Sequence, residues 1–186
     1  MRFSSFALLT LPVAMADTYV RDIGATKDAT IVYSTAQCGD TPCALVNYGM
    51  DNTLTASQQN GDAVRIILGF ALPDGYDDPN AITSCELQLQ RPVFAPDSQY
   101  TLTATEASDN WDEATVNGLT NIPSGKTLGS VLVTGNERPN TIDVTDACKD
   151  AVANGGAFSI WVDSDGLAVT FPSMQTGAAS TVRVFT

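Results

Sequence analysis

The carboxylates Asp109, Asp112 and Glu113 bracket Trp111 and form the best acid–base cluster in the chain. Paired carboxylates are also the one acid–base system open to it, because its 186 residues include no histidine. That absence removes Ser-His-Asp and Cys-His nucleophile systems, His general bases and the HExxH zinc motif together. Two carboxylates suffice to cleave a glycosidic bond, so a carboxylate-based glycan-cleaving enzyme is one function class to weigh. A carboxylate beside a structural tryptophan more often accepts backbone hydrogen bonds, and no pattern marks the pocket that a raised pKa requires. No catalytic residue is assigned.

Hard oxygens also cluster at Asp163-Ser164-Asp165-Gly166 and at Asp74-Gly75-Tyr76-Asp77-Asp78. Neither has the twelve-residue EF-hand spacing with its terminal Glu, and Asp and Gly are the ordinary residues of turns. No cofactor is required, no metal ligand is assigned, and a structural Ca2+ ion is compatible with an exported domain.

Binding chemistry follows from strand alternation. In residues 158–162, Phe158, Ile160 and Val162 form one apolar face, which turns Trp161 outward with Ser159 and Asp163. An outward Trp is a stacking platform for a sugar ring; the alternative is a Trp packed as core beneath the helix or a loop. In residues 63–72, Val64, Ile66, Leu68, Phe70 and Leu72 point inward and leave Arg65, Ile67, Gly69 and Ala71 outside, with space beside the small residues. Residues 81–90 add an outward row of Glu86, Gln88 and Gln90, polar groups suited to hydroxyl recognition. The expected ligand-binding set is Trp161, Ser159, Asp163, Arg65, Gln88 and Gln90.

These residues need a scaffold, and the chain reads as short β-rich runs separated by turn signals. Strands are expected at 18–22, 30–33, 53–57, 63–72, 81–90, 100–105, 128–133, 141–143, 158–162, 167–171 and 181–185. Gln59-Asn60-Gly61-Asp62 joins two of them, and the turn at 163–166 predicts a hairpin. The one convincing helix carries Cys148 on an apolar face with Val144 and Val152; Thr145 is its expected N-cap and Asn154-Gly155-Gly156 its stop.

Four cysteines allow three pairings. Cys85 falls on the buried face of a strand and Cys148 on the apolar face of the helix, which predicts Cys85–Cys148 and leaves Cys38–Cys43 to close a tight local loop. A zinc site would want shorter repeated spacings and histidine.

The N-terminus explains why disulfides are permitted. Arg2, the apolar run from Phe6 to Val13 and the triplet Ala14-Met15-Ala16 match the three regions of a secretory signal peptide. Residues 1–16 are expected to be removed, leaving 17–186 as a single domain. The apolar run is short of the ~20 residues that span a bilayer, so no membrane insertion is expected and the protein should be secreted, extracellular or associated with a cell wall. The formal charge of −12 argues against nucleic acid, anionic membranes and strongly acidic glycans as partners.

The order of Asp17-Thr18-Tyr19-Val20, Asn47-Tyr48-Gly49 and the run from Val64 to Pro73 resembles the start of the DNRLRE domain, also classed as carbohydrate-binding module family 96. Asn110-Trp111-Asp112-Glu113-Ala114-Thr115-Val116, Ile122-Pro123 and Ile142-Asp143-Val144-Thr145 are similar to its later segments. The resemblance implies an all-β, jelly-roll β-sandwich of two antiparallel sheets with one short helix, serving as a non-catalytic module of secreted proteins; alginate binding has been attributed to the family. The expected function is a secreted carbohydrate-binding module, acting as a monomer on a polysaccharide or cell-wall glycan. A secreted structural or interaction protein that binds a protein partner is the alternative.

Overall fold

The computed structural model describes residues 19–59 and 61–186. The expected signal peptide lies outside the described residues. In chain order the strands are β1 Val20–Gly24, β2 Lys27–Tyr33, β3 Gln37–Cys38, β4 Thr41–Pro42, β5 Thr53–Gln59, β6 Asp62–Ala71, β7 Ser84–Gln88, β8 Gln99–Ala107, β9 Ser124–Thr134, β10 Ile142–Asp143, β11 Ala157–Ser164, β12 Val169–Pro172 and β13 Thr181–Phe185, with helix α1 Thr145–Ala153 before β11. They form a two-sheet antiparallel β-sandwich. The smaller sheet has the order β1-β13-β7-β10; the larger runs β12-β5-β6-β11-β8-β9, with β2 also paired to β6. β3 and β4 make a separate ribbon.

Alternation places the main core between the sheets. Leu54, Ile66, Leu68, Phe70, Leu102, Ile160 and Val162 of the larger sheet meet Leu87, Val182 and Val184 of the smaller one. Each such side chain, fully buried, stabilises the fold by ~1.5–3 kcal/mol. β5 and β6 pair in the register Gln59↔Asp62, and Gly61 beside Asp62 has φ 88°, a conformation that glycine adopts without a Cβ penalty.

Helix α1 is fastened at both ends. The Thr145 N–H donates to Asp143 Oδ1 (2.9 Å), while Thr145 Oγ1 donates to the same oxygen (2.6 Å) and accepts from the Cys85 N–H (2.9 Å). Thr145 is therefore the first helical residue and not the cap, and its hydroxyl ties the helix to β7. Gly155, at φ 97°, ends the helix, and the Gly156 N–H reaches the Ala151 carbonyl at 2.7 Å. Both expected disulfides, Cys85–Cys148 and Cys38–Cys43, are present.

The hairpin expected at 163–166 does not form. β11 pairs with β6 and β8, whereas β12 pairs with β5, so the turn carries the chain across the sheet. β12 finds its partner through long-range register, which the turn residues do not encode.

Candidate functional site

The strand phases assigned to Trp161, Ser159, Arg65 and Asp163 hold, but their face of the larger sheet is covered. Residues from the segment after β8 cross it, and Trp111, Val116 and Ile122 pack with Ala29, Ile31, Ile67 and Trp161 into a second core. Trp161 is 0% exposed and Ser159 is buried. An exposed stacking platform at Trp161 is therefore corrected to a core position. Arg65 lies over the Trp161 ring at 4.2 Å and holds Asp163 through Nε (2.5 Å) and Nη2 (2.8 Å). The space expected beside Gly69 is filled by the Lys27 stem, which a Cβ there would meet at 2.5 Å.

The Trp111 segment is clamped by its polar groups. Trp111 Nε1–H donates to Ser159 Oγ (2.9 Å), whose hydroxyl donates to Asp109 Oδ1 (2.7 Å). Lys27 Nζ sits 3.0 Å from the same carboxylate and 4.5 Å from the Trp111 ring centre. Asp112 Oδ1 accepts the Ala114 N–H and Glu113 Oε1 the Asp28 N–H, both at 2.8 Å. Asn47 Nδ2 donates to the carbonyls of Glu113 (2.9 Å) and Val116 (2.6 Å). At Gly49 any Cβ would stand 2.0 Å from the Glu113 carbonyl oxygen, so glycine is required by the close approach. The carboxylates that could have formed a catalytic set are loop anchors.

Gln88 and Gln90 lie elsewhere. β7 belongs to the smaller sheet, so these residues do not share a face with Arg65 or Asp163. Gln90 Nε2 donates to the Ala179 carbonyl (2.8 Å), and Gln88 borders a shallow cavity of about 260 Å³ with Arg138, Pro139, Thr141 and Arg183. The six expected binding residues are thus divided between opposite sides of the sandwich.

A larger concavity opens at one end of the sandwich. Its volume is about 470 Å³, and its walls are Tyr19, Arg21 and Thr186 on one side and Asp74, Gly75, Tyr76, Asp77, Asp78 and Ala81 on the other. Tyr19 and Arg21 share the inward phase of Ile23, which belongs to the main core. Beyond that core they border solvent, and Tyr19 is 58% exposed. The opposite wall is a loop turned by Gly75 at φ 103° and closed by Asp78, whose Oδ1 accepts the Asn80 N–H at 2.9 Å.

Apart from Asp78, the polar side chains of this cleft have no partner among the described residues. Tyr76 Oη is buried with no hydrogen-bond partner. Burial raises the phenol above its ordinary pKa; the Arg21 charge opposes that shift and Tyr19 adds to it. No ion pair among the described residues uses Arg21, Asp74 or Asp77. An arginine fork and two carboxylates beside the exposed Tyr19 ring present donors, acceptors and an apolar face together. Sequence reasoning weighed Asp74–Asp78 as a turn or a calcium loop and not as a wall of a ligand cleft; the available signal was Tyr19 and Arg21 continuing the inward phase of β1.

The carboxylates of the turn at 163–166 already have protein partners. Asp163 is held by Arg65, and Asp165 Oδ1 accepts the Thr101 N–H at 2.7 Å. Among the described residues no group of three or more His, Cys, Asp or Glu side chains is arranged to hold a metal.

Two antiparallel sheets, two disulfides, a clamped cross-sheet segment and an open polar cleft define an all-β sandwich module. The model of carbohydrate-binding module family 96 matches residues 12–186, and the chain belongs to that family. It is also 33% identical over 156 residues to an uncharacterized secreted protein of Arthroderma benhamiae, spanning 76% of this chain and 78% of that relative. The protein is secreted and works outside the cell.

Proposed function

We propose that the protein is a non-catalytic module that binds a neutral polysaccharide or cell-wall glycan in the end cleft. The carrying observation is the set of cleft side chains that no ion pair among the described residues uses, Arg21, Asp74 and Asp77, beside the exposed Tyr19 ring. Sugar hydroxyls both donate and accept, so one ring can answer Arg21, Asp74 and Asp77 at once while stacking on Tyr19. A cleft of about 470 Å³ falls within the ~300–1,000 Å³ usual for small-ligand sites. Two or more wall carboxylates beside one guanidinium, in a chain of charge −12, favour an uncharged glycan over a polyanion. Family membership supports the glycan class.

The test is retention on a panel of soluble and insoluble neutral and acidic glycans. Wild-type protein should be retained on a neutral glycan, and Tyr19→Ala and Arg21→Ala should each weaken retention with little change in melting temperature. Absence of retention on every glycan, or retention indifferent to both substitutions, would overturn the proposal.

A further inference from the structure

The free edge of β2 holds a second unmatched group, far more enclosed than the cleft. Asp28 is 1% exposed. Its Oδ2 accepts the Met174 N–H at 2.7 Å, but Oδ1 has no partner. Beside it, Glu113 Oε1 accepts the Asp28 N–H (2.8 Å) and a hydrogen from Gln175 Nε2 (3.2 Å). Gln175 also donates to the Gly49 carbonyl (3.1 Å), which leaves its own Oε1 buried and unpartnered.

Two carboxylates and an amide therefore meet where two acceptor-only oxygens have nothing to accept. No ion pair among the described residues reaches Asp28 or Glu113; the neighbouring cation, Lys27, is turned to Asp109. A water could bridge the two oxygens, but it would leave the charge of an enclosed carboxylate without an opposite charge. A divalent cation satisfies the oxygens and the charge together. Carboxylates mixed with an amide oxygen suit calcium, which takes such oxygens in flexible geometry, better than magnesium, which demands near-octahedral geometry.

We propose that Asp28, Glu113 and Gln175 form a calcium site that locks the segments around Gly49, Trp111 and Met174 onto the edge of β2. The ion would join three stretches distant in sequence, one of which, around Trp111, covers Trp161. The site differs from both turns that the sequence singled out, because those carboxylates face solvent or are already held. It does not depend on the glycan reading.

The test uses the whole secreted chain, titrated with calcium chloride by calorimetry and melted in chelator or in about 10 mM calcium. One site with Kd on the order of 10⁻⁴–10⁻³ M, as in extracellular modules, and a melting temperature higher by about 3–10 °C in calcium are expected. Asp28→Asn and Glu113→Gln should each reduce affinity at least about tenfold, while Asp74→Asn and Asp163→Asn leave it unchanged. Should Asp28→Asn fail to fold, Glu113→Gln decides alone. Terbium substituted for calcium should luminesce on tryptophan excitation, given Trp111 two residues from Glu113. No calcium-dependent rise in melting temperature, or binding that survives in both ligand variants, would overturn the proposal.

Discussion

Removing the two disulfides separately should rank them in one order. Cys85–Cys148 spans a sequence separation of 63, and Cys38–Cys43 one of 5. On the loop-entropy relation, closing these loops disfavours the unfolded chain by about 4 and about 2 kcal/mol respectively. Cys85 and Cys148 are both fully buried, so replacement by alanine adds the loss of packed sulfur to the larger figure. Cys38 is exposed, and its loop is held independently by the β3–β4 pairing. Equilibrium urea unfolding of Cys85→Ala/Cys148→Ala and of Cys38→Ala/Cys43→Ala should therefore differ by about 2 kcal/mol or more, the former being the less stable. For a domain of this size that is at least ~4–8 °C in melting temperature. The long disulfide also bears on the cleft: Val152, Gly155 and Gly156, at the end of α1, back the loop that carries Asp74 to Asp77. A short-loop variant as destabilised as the long-loop one, or more so, would refute the reasoning.

Trp161→Ala should lower stability by about 3–5 kcal/mol, the cost of emptying a large core position, and denaturant midpoints rather than glycan retention should register it. A variant with wild-type stability and selectively lost retention would mean that the face is open after all. Asp28 supplies a pH dependence when calcium is chelated. Burial raises its pKa to about 6, the Met174 N–H opposes the shift and the Glu113 charge adds to it. Between the unfolded value of 3.8 and about 6 the folded chain holds more protons than the unfolded chain, so this residue's contribution to stability falls as pH rises. At ~1.36 kcal/mol per pKa unit the difference between wild type and Asp28→Asn should change by up to about 3 kcal/mol from pH 4 to pH 7, in favour of Asn at the higher pH. A pH-independent difference would contradict the assignment.

Local periodicity was a sound guide wherever one strand's own residues decide the outcome. Alternation in β6 and β11 separated Ile66, Leu68 and Ile160 from Arg65 and Trp161, and the phases of Cys85 and Cys148 paired them correctly. What covers a face is a different question. Trp161 lies under Trp111, and Asn47, Gly49 and Glu113 hold that segment through contacts more than sixty residues apart in sequence. The short motifs shared with the family are largely these clamps, which explains why they announce the fold better than the ligand. Gln88 and Gln90 show the same limit. Their outward phase was readable, but membership of the smaller sheet depends on β7 pairing with β13 and β10. The end cleft was hardest to read, because Tyr19 and Tyr76 meet only when the edge of one sheet faces the loop after β6.

The central claim rests on that cleft and is tested most directly by calorimetric titration of the glycan retained in the panel into wild-type protein and Arg21→Gln. Arg21 is exposed in the cleft and makes no ion pair among the described residues, so the fold should stand. Binding to the wild type, weakened about fivefold or more in Arg21→Gln through loss of one ligand hydrogen bond worth ~1 kcal/mol, is the expected result. Equal affinity in the two proteins, each with an unchanged melting temperature, would place the glycan elsewhere and contradict the account.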